Sequence, residues 1–258
     1  MLDTDQQVKA YRALRAAGGV HPAASVTLAA TVKTAAAGKA ANLTTATKPP
    51  AGATYPASIT ALISTIGGMG AHFTAAATAA DAFHAAIDPW DDIQELIRMS
   101  IGFDVHIKEQ QLAKTTVFPL VTAIADTQKV AALNTAVNGV DITAIVAAMG
   151  AINTQLTPAA PVPPATVGVA KTLTQAQIDA LTKAVNDQKP HDTPVTTATA
   201  DLNTLTNSAK TSITQAETAF KDGVTIALIV SLKADPRMAG AITALIPANV
   251  LAELNKQP

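Results

Sequence analysis

The chain has 258 residues, no cysteine and a formal net charge of −1 at pH 7, a length that allows one large or two modest domains. Without thiols it can form neither disulfides nor zinc–thiolate sites, and thiol catalysis is excluded. The near-neutral balance supplies no long-range field to gather nucleic acid.

Hydrophobic residues make up 48% of the chain, but 56 residues are alanine and aromatics are only 3%, so the core is expected to be thin and made by close helix contact. Threonine occurs 35 times. Alanine is the strongest helix former and threonine is indifferent, so the helices need packing partners for stability. Charged residues amount to 14%, against about 25% in ordinary soluble domains. Such a sparsely charged surface suits burial against other chains. Residues 7–80 contain no acid and six cations, Lys9, Arg12, Arg15, Lys33, Lys39 and Lys48, spread too widely to form a phosphate-binding stripe.

The start, Met1-Leu2-Asp3-Thr4-Asp5, is acidic with no apolar run after it, so no secretory signal is expected. A first helix is predicted from Asp5 to Ala17, with Val8, Tyr11 and Leu14 on one face and Gly18-Gly19 as its stop. A second begins at His21-Pro22 and runs to Asn42, with Val26, Leu28 and Val32 as its large apolar residues. Residues 43–56, with Pro49-Pro50, Gly52 and Tyr55-Pro56, read as a loop. From Ala57 the spacing of Ile59, Leu62, Ile63 and Ile66 is helical. Gly67, Gly68 and Gly70 either end that helix or lie within a longer one that lets a neighbour come close.

The stretch from Phe73 to Phe118 holds the single Trp, Trp90, and four of the five Phe: Phe73, Phe83, Phe103 and Phe118. These aromatics are candidates for the core or for an interface, since Trp is enriched at binding hot spots. Asp88-Pro89 is a helix start, with Asp88 as cap and Pro89 in the first helical position, and Asp91 and Asp92 suit the helix dipole. The helix predicted from 89 to 114 carries apolar residues on two sides, Ile93, Ile97 and Ile101 on one, Leu96, Phe103 and Ile107 on the other. It is expected to be the central helix of the fold.

Val130, Leu133 and Val137 predict a short helix closed by Asn138-Gly139 in a left-handed stop. Asp141 is expected to cap the next, with Ile142, Ile145, Val146, Met149, Ile152 and Leu156 at helical spacing. Residues 157–172, with Pro158, Pro161, Pro163 and Pro164, read as a semi-rigid connector and a domain boundary between 1–156 and 173–258. Thr174 and Gln177 have capping-box spacing, and Leu173 and Ile178 that of a hydrophobic staple. Asp187–Pro194 reads as a turn. A long helix is predicted from 194 to 222, with a seam of Val195, Ala198, Leu202, Leu205 and Ala209. Val224–Leu232, nine residues, is a helix or a strand and is too short to span a bilayer, which takes about 20. Asp235-Pro236 repeats the Asp-Pro start, with Asp235 as cap.

The chemistry-bearing residues assemble into no motif. His106 and Glu109 share a helix face, and His84 precedes Asp88 by four, but a carboxylate-bridged metal pair needs two Glu-x-x-His units and further Glu. Gly67-Gly68-Met69-Gly70 lacks the third glycine and the preceding strand of a dinucleotide fingerprint, and Ala37-Gly38-Lys39-Ala40 lacks the Ser or Thr of a phosphate loop. No catalytic residue, metal ligand or cofactor is therefore expected, and the fold class is all-α, a multi-helix bundle.

The Ala/Thr-rich helices, the lack of Cys, the scarcity of charge and Trp and the Pro/Ala connector resemble the structural proteins of tailed bacteriophages, especially tail or baseplate components. The resemblance implies a non-enzymatic virion subunit assembled in the host cytoplasm. Its partners would be copies of itself and other virion proteins, with no nucleic acid, membrane span or small-molecule substrate. The alternative is a secreted or surface helical binding or adhesion protein. A third reading is a helical-bundle metalloenzyme with its metal near His84 or His106.

Overall fold

The computed structural model describes residues 23–87, 128–157 and 172–234. Among the described residues the fold is all-α, an assembly of helices with no strand. The helices are α1 (Ala23–Ala46), α2 (Ala57–Ile87), α3 (Gln128–Gly139), α4 (Thr143–Leu156) and α5 (Gln175–Ala234). The helix predicted over 5–17, the proposed central helix 89–114 with Asp88, Trp90 and Phe103, and Phe118 and Asp235 lie outside the described residues.

The chain divides into two compact units. One consists of Val26–His84 with Thr127–Thr204, and the packing below is that of this unit. α3, α4 and the first half of α5 belong to it together, on both sides of the connector expected at 157–172 to separate two domains. The described ends 23–25, 85–87 and 205–234 belong to the other unit.

α1 buries a stripe of Ala29, Val32, Ala36, Ala40 and Leu43, steps of three and four that keep one face of the helix turned inward. Val26 and Leu28, the other large apolar residues of this helix, are half-buried. Alanine fills most of the seam, and so the backbones can approach. The helix runs four residues beyond the predicted Asn42, because Leu43 is buried and extends the stripe by one turn.

α2 runs antiparallel to α1: Lys33 meets Asp81, Lys39 lies over Phe73, and Leu43 faces Gly70. Gly67, Gly68 and Gly70 are interior to this 31-residue helix. A Cβ on Gly70 would sit 3.9 Å from that of Leu43, an ordinary contact, so this is the point of close approach. α2 supplies the large core side chains, Ile59, Ile66, Met69, Phe73 and Phe83, all at 1% exposure or less. Each such side chain stabilises the fold by about 1.5–3 kcal/mol through the water it sheds.

In the loop between α1 and α2 the Ala53 N–H donates to the Pro50 carbonyl at 3.0 Å, and Gly52 has φ 76°. A positive φ at the third position of such a turn is the type II geometry that glycine accepts without strain.

The largest departure from the sequence reading is α5. The turn expected over Asp187–Pro194 is helical, and one helix of 60 residues passes through Pro190 and Pro194. Each interior proline removes a backbone bond and costs about 3 kcal/mol, so packing on both sides must hold the helix together. It does: Leu181, Ala184 and Val185 are buried before the prolines, and Val195, Ala198, Thr199 and Leu202 after them. Both prolines face outward, where water can reach the carbonyls they leave unbonded. The helix predicted over 194–222 is thus part of a longer one, and Val224–Leu232 is helical.

α5 begins as expected. The Thr174 N–H donates to Gln177 Oε1 at 2.9 Å and the Gln177 N–H to Thr174 Oγ1 at 3.3 Å, a reciprocal pairing of otherwise orphaned donors. α5 lies antiparallel to α3, joined by Lys129–Asp201 at 2.7 Å and, just past the end of α3, by the Asp141 N–H on Gln188 Oε1 at 2.8 Å.

Candidate functional site

The densest polar cluster in this unit gathers where α1, α2, the α3–α4 turn and the proline segment of α5 meet. Lys39 enters it from the α1 seam, one position from Ala40. Its ammonium donates to the Val137 carbonyl at 2.7 Å and to the Val140 carbonyl, and it lies 5.7 Å from the centre of the Phe73 ring. A cation over an aromatic face is held by the ring quadrupole. Burial pushes the Lys39 ammonium below its ordinary value, and the nearby Asp141 charge partly opposes that.

The lysine changes how α3 ends. A left-handed glycine stop was expected at Asn138-Gly139, but among the described residues Gly52 alone is a glycine with positive φ. Lys39 meets the Val137 carbonyl in the last turn of α3 and the Val140 carbonyl just beyond it, combining hydrogen bonding with a favourable charge at a helix C-terminus.

Asp141 sits at the start of α4. Its Oδ1 accepts the Thr143 N–H at 2.9 Å, while the formal capping position is one residue later, at Ile142, without a side-chain bond. The bonds from Thr143 hold the Asp141 carboxyl below its ordinary value, with a smaller contribution from Lys39.

On the other side of the cluster His72 Nδ1 lies 2.8 Å from Asp192 Oδ2. The Asp192 side chain is 16% exposed and His72 41%. Asp192 Oδ1 is buried with no partner. Asp192 and Gln188 are one turn apart and occupy positions that in an apolar seam would hold Leu or Val.

A second polar knot ties the end of α1 to α4. Asn153 Nδ2 donates to the Ala46 carbonyl at 2.9 Å, and the Tyr55 hydroxyl donates to Asn153 Oδ1 at 2.9 Å. Burial raises the Tyr55 phenol above its ordinary value, and the Asn153 bond opposes this. Asn153 therefore completes a helix end and fixes the loop at the same time.

Of the residues singled out in the sequence, Phe73 and Phe83 are wholly buried in the core, and Thr174 starts α5. His84 is exposed on α2. No group of three or more His, Cys, Asp or Glu suited to a metal occurs among the described residues. Lys39, Asn153 and the His72–Asp192 pair carry the polar structure and were not singled out. The one sequence signal was Lys39 itself, a lone cation in step with Ala36, Ala40 and Leu43.

The outer faces are as informative as the cluster. On the exposed sides of α1 and α2 the full charges are Lys33 and Asp81, and they pair at 2.6 Å. The remainder is mainly Ala and Thr, and many threonine hydroxyls bond back to their own helix: Thr31 to Thr27, Thr34 to Ala30, Thr74 to Gly70, Thr78 to Thr74. A hydroxyl so engaged leaves its methyl group to the surroundings. Two stretches, Ala57–Ile87 and Gln128–Leu156, are long and apolar enough to cross a membrane. The second is broken at Val140–Ile142 between α3 and α4. No protein-family model, curated protein or solved structure matches this chain.

Proposed function

We propose that this chain is a non-enzymatic structural subunit that works by burying weakly charged helix faces against other chains, as a tail or baseplate component of a bacteriophage virion. The observation that carries the reading is the outer face of α1 and α2, where one Lys–Asp pair cancels and Ala and Thr methyl groups make up most of the rest. Such a face sheds little bound water on contact and lets a neighbouring helix come near, because the side chains are short. The polar clusters support the same reading. Lys39, Asp141, Gln188 and Asn153 are occupied with helix ends and turns, which is structural work.

Partners in this reading are copies of the chain and other virion proteins, and the protein resides in the particle. The test is the mass of the purified chain by analytical ultracentrifugation over a wide concentration range, with a map of the native particle. Concentration-dependent assembly and density for the helices in the tail are expected. A helical monomer that never associates and is absent from particles would overturn the reading.

A further inference from the structure

We propose that residues 186–194 form a latched hinge in α5, closed by the His72–Asp192 and Asp141–Gln188 contacts. The proposal is independent of the virion reading.

Two prolines four residues apart take two consecutive bonds from the same side of the helix. Pro190 lacks the N–H that would reach the Asn186 carbonyl, and Pro194 the one that would reach Pro190. Interior prolines are one of the few recognised causes of sharp helix kinks. The apolar seam found on either side, from Leu181 to Val185 and from Val195 to Leu202, is also interrupted over the same turns: between Val185 and Val195 no apolar residue is buried, and the inward positions are Gln188 and Asp192.

Each of those two polar residues is tied to a different partner. Gln188 accepts the Asp141 N–H at the α3–α4 turn, and Asp192 meets His72 on α2. Backbone and packing are both weakened here, and two side-chain contacts span the weak point. The second oxygen of Asp192 is buried without a partner, so opening would return it to water and offset part of the cost of separating Asp192 from His72. The segment Val195–Thr204 would then part from the rest of its own unit, baring Val195, Ala198 and Leu202.

The absence of cysteine makes the test clean. Spin labels at Ala180→Cys and Asn203→Cys, both exposed, flank the hinge in the full chain, and their separation is read by pulsed electron resonance. One narrow distance distribution is expected for the parent. Asp192→Ala, or His72→Ala if the first variant does not fold, is expected to add a second, shorter population. Adding Pro190→Ala and Pro194→Ala should restore a single distribution, because the missing N–H groups return. A single unchanged distribution in the latch variants overturns the proposal, as does a second population that persists after the prolines are replaced.

Discussion

α1 and α2 lie antiparallel in the same unit and are both fully helical, yet they are held in different ways. α2 contributes Phe73, Phe83, Met69, Ile59 and Ile66 to the interior, while α1 contributes mainly alanines with Val32 and Leu43. For α2, apolar area is the main contribution, with His72–Asp192 and its half of Lys33–Asp81 added to it. α1 has much less of it, and its position depends on polar contacts: Lys39 on the α3 carbonyls, Asn153 on Ala46, and Lys33 on Asp81. Small side chains thus shift the task of specifying position from packing to hydrogen bonds.

The sharpest test of this contrast is a pair of truncations followed by urea unfolding. Phe73→Ala should cost about 3–5 kcal/mol, whereas Val32→Ala removes two methyl groups and should cost roughly half as much. Equal losses would show that α1 is anchored by area after all. The converse substitution asks how close the helices are. Ala36→Leu should destabilise by about 1–3 kcal/mol through overpacking, and a neutral result would mean that the α1 seam is loose.

Lys39→Met keeps most of the stem and removes the ammonium. Leaving the Val137 and Val140 carbonyls without their donor should cost about 1–3 kcal/mol, with faster amide exchange at the end of α3. A gain in stability would show that desolvation of the charge outweighs its bonds. The smallest effect is at Asp141. Its carboxyl is held below the ordinary value in the folded chain, so its contribution is complete above the ordinary carboxylate range and is lost as pH falls through the folded value. The advantage of the parent over Asp141→Ala in urea midpoint should therefore shrink between about pH 6 and pH 2. A constant gap would assign the effect to the backbone turn.

Much of this fold was legible because helix periodicity and capping are local. The faces of α3 and α4 follow the spacing of Val130, Leu133 and Val137 and of Ile145, Met149 and Ile152, and Thr174 with Gln177 marked the start of α5. The continuity of α5 was not legible. Lys189-Pro190 and Thr193-Pro194 are local stop signals, and what overrides them is burial of Leu181 and Leu202 on either side, which depends on the partners. The polar cluster was hidden for a related reason. Lys39 meets Val137 and Val140 about a hundred positions later in sequence, and backbone carbonyls carry no residue signature.

An alanine stripe has a further consequence for α1. Slid along its axis by one turn, α1 would present Ala29, Ala36 and Ala40 to nearly the same surroundings, since a methyl group fits many hollows equally well. What differs between neighbouring settings, beyond the places of Val32 and Leu43, is whether an ammonium finds two carbonyls and whether the amide of Asn153 finds the last turn. Lys39 and Asn153 thus act as index marks on a nearly smooth scale, adding to the axial setting that Val32 and Leu43 specify.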